Sequence, residues 1–258
     1  MLMSRFIGGN SIIAAKKLNI PYKKIYDYVK EGNSKDHKNN HELNVFALKK
    51  TKNSIHAIKL TSLYNNNLKK YLDEYHSLSV KNNNKILIDA EDVKNQEMIN
   101  NYTNHCIKTY NYGIFYKTYQ MYRNDSLKLL ENDLLKFNNY GIKLVRGAYH
   151  NQDKNTGLLH LQKTDTDSDY NDAIRLLSTY KNDVFVATHN KESCEIAISL
   201  QRKFKYAQLL GMNDKLSSYL LEKNNDVYKY IPYGKWNDSV PYLTRRLYEN
   251  YDIMKYIF

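Results

Sequence analysis

The chain has 258 residues, of which 42% are apolar, and it carries a formal net charge of +12 at pH 7. This length suits one large domain or two small ones, and it is common among α/β barrels. The charge could attract nucleic acid or an anionic membrane. However, the lysines are scattered, and many stand beside asparagines in predicted loops, as in 35–40 and 81–85. Since zinc-finger spacing and RNP-like aromatic motifs are both absent, we expect no specific binding of nucleic acid.

Cysteines, histidines and apolar runs exclude further classes of protein. Cys106 and Cys194 form no CxxC motif, which argues against a disulfide scaffold and favours an intracellular, reducing compartment. The eight histidines are dispersed without metal-ligand spacing, so no metal site is predicted. No apolar run approaches the ~18 residues of a membrane span. Residues 1–19 resemble neither a signal peptide nor a transit peptide, so we expect them to belong to the mature protein.

Short runs of β-branched or aromatic residues recur along the chain and predict strands. In chain order these runs are 22–29, 54–60, 85–91, 114–122, 142–148, 184–189, 205–210 and 227–234. Stretches with helical periodicity lie between them, at 126–137, 171–180 and 191–204. The clearest is 126–137, where leucines and a phenylalanine form one apolar stripe.

Eight strands alternating with helices predict an α/β fold with a single (β/α)8 barrel over residues 1–258. An open doubly wound sheet would give the same alternation, but the number and even spacing of the strands favour the barrel. Residues 1–20 are predicted to form a helical lead-in, and 239–252 a helix over the carboxyl ends of the strands.

This last predicted helix contains the sequence PYLTRRLYEN. We expect Pro241 in its first turn, where proline is tolerated, with Asp238 or Ser239 as the N-cap. Four of its residues share one face because they are spaced i, i+3, i+4 and i+7: Tyr242, Arg245, Arg246 and Glu249.

Charged or amide side chains end most of the predicted strands, although buried barrel strands should be mostly apolar. Any one of these side chains could face outward, but an outward position is a poor explanation for polar residues on nearly every predicted strand. Five cations of this set and of the last helix predict a site for an anion: Lys59, Lys143, Arg146, Arg245 and Arg246. Asp89, flanked by cations, is expected to be ionised and to order neighbouring donors. Without a glycine-rich phosphate loop or a Ser-His-Asp arrangement, these residues predict a barrel enzyme that binds a small carboxylate and a phosphorylated cofactor.

Eight short motifs occur at these positions in a fixed order. They are IKLTSL (58–63), IDAED (88–92), TYQMY (118–122), KLVRGAY (143–149), ATHN (187–190), QLLGM (208–212), YIPYG (230–234) and PYLTRRLYEN (241–250). This series resembles the motifs of the proline dehydrogenase family, and the resemblance covers nearly the whole chain. KLVRGAY and YIPYG resemble the eukaryotic branch of that family more than the bacterial branch.

The resemblance implies a distorted (β/α)8 barrel that binds FAD at the strand carboxyl ends, with the last helix over the mouth. It implies oxidation of L-proline to Δ1-pyrroline-5-carboxylate by hydride transfer from C5 to flavin N5. A quinone or another membrane carrier would accept the electrons, which implies peripheral membrane association, although the sequence shows no amphipathic anchor. Hydroxyproline is the alternative substrate, and the Tyr242 phenol favours proline because it would crowd a ring hydroxyl. An inactive basic barrel that binds nucleic acid is the alternative from a different class.

The resemblance also implies roles for individual residues. Asp89 and Lys143 would belong to the catalytic shell, and Arg245 and Arg246 would clamp the substrate carboxylate with Lys59. The other substrate-binding residues would be Leu144, Tyr149, Leu209, Tyr230 and Tyr242. The residues that contact or support FAD would be Ala90, Gln120, Val145, Arg146, Gly147, Thr188, His189 and Glu249.

Overall fold

Eight parallel strands pair in sequence order and close into a barrel in a computed structural model of the chain. The structure describes residues 5–32, 36–110 and 113–249, with the backbone alone for 245–249. The strands are β1 (Lys23–Tyr28), β2 (Ile55–Ile58), β3 (Lys85–Ile88), β4 (Phe115–Gln120), β5 (Gly141–Val145), β6 (Val184–Ala187), β7 (Lys205–Leu209) and β8 (Asp226–Tyr233). The predicted barrel is confirmed, and each predicted strand overlaps an observed one.

Helices between successive strands form the outer layer, and one further helix precedes β1 and another follows β8. They are α1 (Ile12–Lys17), α2 (His37–Lys50), α3 (Leu68–Asn82), α4 (Val93–Tyr110), α5 (Ser126–Lys136), α6 (His150–Asp153), α7 (Lys163–Leu177), α8 (Lys191–Ser199), α9 (Asp214–Glu222) and α10 (Trp236–Glu249). A short 3-10 helix, Leu60–Leu63, follows β2. The three helices expected between strands correspond to α5, α7 and α8, and α1 lies within the predicted lead-in. Within the described residues, no helix is both long enough and apolar enough to span a bilayer.

Residues along each strand alternate between the barrel interior and the helical layer. The interior is filled by one buried cluster, made of Ile25, Ile55, Ala57, Leu87, Tyr116, Phe185, Ala207, Tyr228 and Tyr230. Residues between these positions, such as Ile86, Ile142 and Val186, join a larger cluster that packs against the helices. Gly141 also faces inward, and a Cβ there would lie 2.1 Å from the Tyr116 ring. The large ring therefore occupies space that a side chain at residue 141 would need.

The final helix differs from its prediction. It begins at Trp236 rather than at 239, so Pro241 lies inside the helix and not in its first turn. Ser239 Oγ donates to the Gly234 and Lys235 carbonyl oxygens, at 3.2 and 3.0 Å, from within the helix. Asp238 pairs with Lys30 at 2.8 Å. The expected capping by Asp238 or Ser239 is therefore wrong, and the predicted end at 250–252 lies outside the described residues.

A buried ion pair attaches β4 to the helical layer. Lys117 Nζ donates to Asp133 Oδ2 at 2.6 Å and to Asn104 Oδ1 at 2.8 Å. The Tyr119 hydroxyl donates to the same Asp133 oxygen at 2.9 Å. Burial lowers the pKa of Lys117, although the Asp133 charge acts in the opposite direction. The pair therefore depends on both members being present.

Removing one member of this pair should cost more than removing both. We expect Asp133→Leu to lower the free energy of unfolding by about 3–5 kcal/mol because it leaves the Lys117 ammonium buried without a counter-charge. The double variant Lys117→Met/Asp133→Leu should recover much of that loss. Urea denaturation of the three proteins measures the difference. A double variant less stable than the single one would contradict the expectation.

Candidate active site

Buried charged side chains cross the barrel mouth at the carboxyl ends of the strands. Lys59 Nζ donates to Asp27 Oδ1 and lies 3.5 Å from Asp89 Oδ2. Lys143 Nζ donates to Asp89 Oδ1 and to the Tyr230 hydroxyl oxygen, both at 2.6 Å. The Tyr230 hydroxyl donates to Asp89 at 3.1 Å, and the Tyr242 hydroxyl of α10 donates to Asp27 Oδ2 at 2.6 Å. We call these six side chains the mouth network: Asp27, Lys59, Asp89, Lys143, Tyr230 and Tyr242.

The period of two residues along a strand explains why these side chains meet. Five members of the mouth network stand two positions after an inward-facing residue: Asp27 after Ile25, Lys59 after Ala57, Asp89 after Leu87, Lys143 after Gly141 and Tyr230 after Tyr228. Each therefore continues the inward face of its own strand by one step toward the carboxyl end. A layer of charges thus lies directly above an apolar layer inside the barrel.

The electrostatics of the mouth network keep Lys59 charged and Tyr230 neutral. Burial opposes the charged form of Lys59, but the negative charges of Asp27 and Asp89 outweigh it and raise the Lys59 pKa well above its usual range. Burial and the Asp89 charge raise the pKa of Tyr230 well above that of free tyrosine. The two lysines and two aspartates then cancel in formal charge. An anionic ligand at the mouth would need additional positive charge from elsewhere.

Arg146 forms a second polar group just beyond β5. Its guanidinium donates to Asp167 Oδ1 at 2.6 Å, to Thr188 Oγ1 at 2.6 Å and to Ser193 Oγ at 3.0 Å. The guanidinium also lies 4.3 Å from the centre of the Tyr170 ring. These contacts hold a partly exposed cation next to the carboxyl end of β6.

His189 follows Thr188 at the end of β6. Its Nε2 accepts a hydrogen bond from the Leu209 backbone N–H at 3.2 Å. Burial and the Lys229 charge lower the His189 pKa to about 3, so the ring is neutral and its proton lies on Nδ1. The buried Nδ1 has no hydrogen-bond partner among the described residues. His189 therefore offers a buried N–H donor at the strand end.

The remaining predicted site residues lie in several environments. Gln120 is buried at the end of β4, whereas Ala90 and Val145 are partly exposed. Gly147 is exposed with φ +140°, and a Cβ there would lie 2.4 Å from the Tyr122 ring. The Tyr149 hydroxyl lies 3.5 Å from Glu31 Oε2. Leu209 packs between the inner cluster and the cluster that contains Tyr242.

Two sets of predictions need separate treatment. Leu144 is fully buried in the outer cluster, on the face of β5 opposite to Lys143. This placement argues against its predicted contact with substrate, because alternate residues of a strand face opposite sides. Arg245, Arg246 and Glu249 belong to α10, but their side chains lie outside the described residues, so their roles stay predictions.

Asp27 is a member of the mouth network that the sequence interpretation did not identify. It has no exposed surface and accepts hydrogen bonds from both Lys59 and Tyr242. The available signal is its position two residues after Ile25, between Tyr26 and Tyr28, in the apolar half of β1. An inward-facing carboxylate at that position indicates a cationic partner nearby.

A closed barrel of parallel strands with charged side chains at its carboxyl mouth is the architecture of a (β/α)8-barrel enzyme. The family model described as proline dehydrogenase matches residues 11–257. The chain belongs to the proline dehydrogenase family.

Relatives agree with this family assignment, and a solved structure agrees with the fold. Over 64% of its length the chain is 33% identical to mitochondrial proline dehydrogenase 1 of Dictyostelium discoideum. Over 54% it is 33% identical to hydroxyproline dehydrogenase of Rattus norvegicus. A crystal structure of proline utilization A from Bradyrhizobium japonicum matches 99% of the chain with a TM-score of 0.86 at 16% identity, which supports the fold. The matched regions span only 34%, 36% and 32% of these three proteins.

Glu91 is a further buried carboxyl group beside the mouth. Its Oε1 accepts from the Thr61 backbone N–H at 3.2 Å, and its Oε2 accepts from the Thr61 hydroxyl. The Thr61 Oγ1 in turn accepts from the Gly32 N–H at 2.9 Å. Burial raises the Glu91 pKa to about 7, against the lowering effect of these hydrogen bonds and of Lys59. Glu91 therefore keeps a proton in the folded protein under conditions in which the unfolded chain loses it.

This difference predicts a pH-dependent loss of stability. The unfolded chain releases the Glu91 proton near 4.5 and the folded protein near 7, so stability falls as the pH rises through that window. At about 1.4 kcal/mol per pKa unit the loss is about 3 kcal/mol. We expect the free energy of unfolding of Glu91→Gln to rise by roughly that amount relative to that of the parent protein between about pH 5 and about pH 8. Urea denaturation of both proteins at the two pH values measures the change.

Glu195→Gln provides the matched control, since it makes the same change on the exposed side of α8. An unchanged pH dependence in Glu91→Gln would show that the folded protein does not retain this proton.

Proposed function

We propose that this chain is an FAD-dependent enzyme that oxidises L-proline to Δ1-pyrroline-5-carboxylate. The supporting observation is the mouth network, in which Lys59, Asp89, Lys143 and Tyr230 bond to one another at the strand ends of a proline dehydrogenase family member. Active sites of barrel enzymes form at these strand ends. The mouth network is therefore the proposed place of the reaction.

The residues around β5 and β6 fit a flavin dinucleotide. The Nδ1 donor of His189 is buried without an acceptor among the described residues, and FAD carries many acceptor atoms. The partly exposed Arg146 guanidinium suits an anionic or polar part of the cofactor. We assign FAD binding to these two residues with Ala90, Gln120, Val145, Gly147, Thr188 and Glu249. When bound, FAD supplies the acceptor for the hydrogen and the electron pair removed from the substrate.

The substrate carboxylate requires cations beyond the neutral mouth network. Arg245 and Arg246 of α10 are the proposed source, and they would bind the carboxylate together with Lys59. Guanidinium groups suit this role because they donate two parallel hydrogen bonds to a carboxylate. Tyr149, Leu209, Tyr230 and Tyr242 would surround the ring and exclude water from it.

Lys143 and Asp89 would prepare the site for charge that develops during the reaction. The Asp89 carboxylate and the Tyr230 hydroxyl hold the Lys143 ammonium in one place, with two hydrogen bonds of 2.6 Å. A positive charge fixed in this way stabilises negative charge that develops beside it without further reorganisation. Asp89 therefore positions Lys143, and Lys143 acts on the reacting groups.

The proposal also covers the electron acceptor and the choice between proline and hydroxyproline as substrate. We propose a quinone-type acceptor, reached through peripheral contact with a membrane. Hydroxyproline is the second candidate substrate, because a relative that is 33% identical is named hydroxyproline dehydrogenase. The Tyr242 hydroxyl already donates to Asp27, so this hydroxyl is less able to accommodate a hydroxyl group on the substrate ring.

An absorbance spectrum tests the cofactor and the substrate together. We expect the purified protein, after FAD is added and oxygen removed, to show a flavin band that L-proline bleaches. D-proline serves as the stereochemical control, and hydroxyproline is compared in parallel. Faster bleaching by hydroxyproline would overturn the choice of substrate. Failure to bind FAD would overturn the proposal, and a colourless protein that binds DNA in a salt-sensitive manner would favour a basic binding protein instead.

Substitution of the paired arginines tests the binding of the carboxylate. Arg245→Ala and Arg246→Ala should each lower kcat/KM for L-proline by the equivalent of roughly 2–5 kcal/mol, the usual cost of truncating one partner of a buried charge pair. The FAD content should stay at that of the parent protein. Arg175→Ala is the matched control, since this α7 arginine is exposed and pairs only with Asp172 among the described residues. Near-normal kcat/KM in both paired-arginine variants would exclude the carboxylate role.

A further inference from the structure

Asp27 joins three parts of the chain that are distant in sequence. The residue lies on β1, has no exposed surface, and uses one carboxylate oxygen for Lys59 and the other for Tyr242. Lys59 stands just beyond β2, and Tyr242 stands in α10, 215 positions after Asp27. A single carboxylate therefore connects the barrel wall to the helix over its mouth.

The other described attachments of α10 are weaker or less directional. Asp238 pairs with Lys30 at 2.8 Å, but both side chains are about one-quarter exposed, so solvent screens this pair more than it screens the fully buried Asp27. Ser239 bonds to carbonyl groups at the start of its own segment. Tyr242 and Leu243 pack in a small apolar cluster with Phe6, Ile7, Val29 and Met212. Apolar packing of this kind keeps α10 against the barrel but is not directional. The Tyr242–Asp27 hydrogen bond is directional, so it constrains the rotation of α10 and its position along the helix axis.

The bond also links the helix to Lys59. The Lys59 ammonium lies 5.4 Å from the centre of the Tyr242 ring and donates to the same carboxylate as the Tyr242 hydroxyl. The backbone of Arg245 and Arg246 follows three and four positions later, one helical turn further along α10. Fixing Tyr242 thus fixes the turn on which the paired arginines stand relative to Lys59.

We propose that Asp27 is a positioning residue that sets Lys59 and the arginine-bearing turn of α10 in one arrangement for the substrate carboxylate. Its effect on substrate rests on the proposed function, whereas its effect on the docking of α10 does not. Asp27 acts through Lys59 and Tyr242 and does not itself need to touch the substrate.

Hydrogen–deuterium exchange tests the docking without substrate or cofactor. Tyr242→Phe removes only the hydroxyl that bonds to Asp27. A hydrogen bond to a charged group typically contributes enough to stability to change an opening equilibrium by about tenfold or more. We therefore expect the amides of α10 to exchange about tenfold faster in Tyr242→Phe than in the parent protein. Unchanged exchange in α10 would overturn the proposal.

Tyr119→Phe is the matched control for this experiment. It removes a buried tyrosine hydroxyl that also bonds to a buried aspartate, Asp133, but on the outside of the barrel. We expect it to lower overall stability without a selective increase of exchange in α10. An equal increase in both variants would show a general loss of stability and would overturn the positioning role.

Steady-state kinetics test the effect on substrate. We expect Asp27→Asn and Tyr242→Phe each to raise KM for L-proline about tenfold with kcat changed less than about threefold, because they disturb binding of the carboxylate, which is present throughout the reaction. The double variant should lose less than the product of the two single effects, since both changes weaken the same Tyr242–Asp27 contact. Effects that multiply in the double variant would contradict action through this bond.

The two measurements separate the proposals. If the parent protein fails to oxidise proline, the proposed function is wrong, and the exchange of α10 still decides whether Asp27 docks the helix. If the parent protein is active but KM is unchanged in both variants, the proposed function stands and the positioning role is wrong.

Discussion

The structure of the barrel mouth depends on the cost of removing charges from water. Each buried ion loses several kcal/mol of solvation, which only close opposite charges and hydrogen bonds can offset. The mouth network meets this requirement by alternation: Lys59 lies between Asp27 and Asp89, and Asp89 lies between Lys59 and Lys143. Because every member has its partners in place, the side chains are held in position before any ligand arrives. Reorganisation during a reaction would then be small.

Alternation has a second consequence, because two lysines and two aspartates leave the mouth network without surplus formal positive charge. The mouth network alone therefore provides order but little attraction for an anion. In the proposed function this attraction comes from α10, an element added after the last strand. The barrel would orient the reacting groups, and the helix would select a carboxylate. Under this division of roles, the attachment of α10 to the barrel would matter for binding as much as the residues that touch the ligand.

Much of this arrangement could be predicted from the sequence, because the strand pattern is local. Short apolar runs located all eight strands, and residues that follow them, such as Lys59, Asp89 and Lys143, were identified as members of one site. Leu144 was assigned to the same site although it is adjacent to Lys143. The charge of Lys143 already indicates a site residue, whereas only family resemblance selects Leu144, and the period of two residues allows only one of them to face inward. The start of α10 was misplaced because Pro241 was read as a first-turn residue, although the helix accommodates it further in.

Local pattern can at most suggest an inward-facing position for Asp27, because its role depends on partners 32 and 215 positions away. A lone aspartate in a strand could equally face solvent, and only the closure of β8 onto β1 brings α10 above it. The closed barrel makes the first strand a neighbour of the last, so β1 and α10 meet at one carboxylate. The buried Asp27 carboxylate needs the charge of Lys59, and it accepts the Tyr242 hydrogen bond only when the barrel is closed. The ordered arrangement of the site therefore depends on the complete fold.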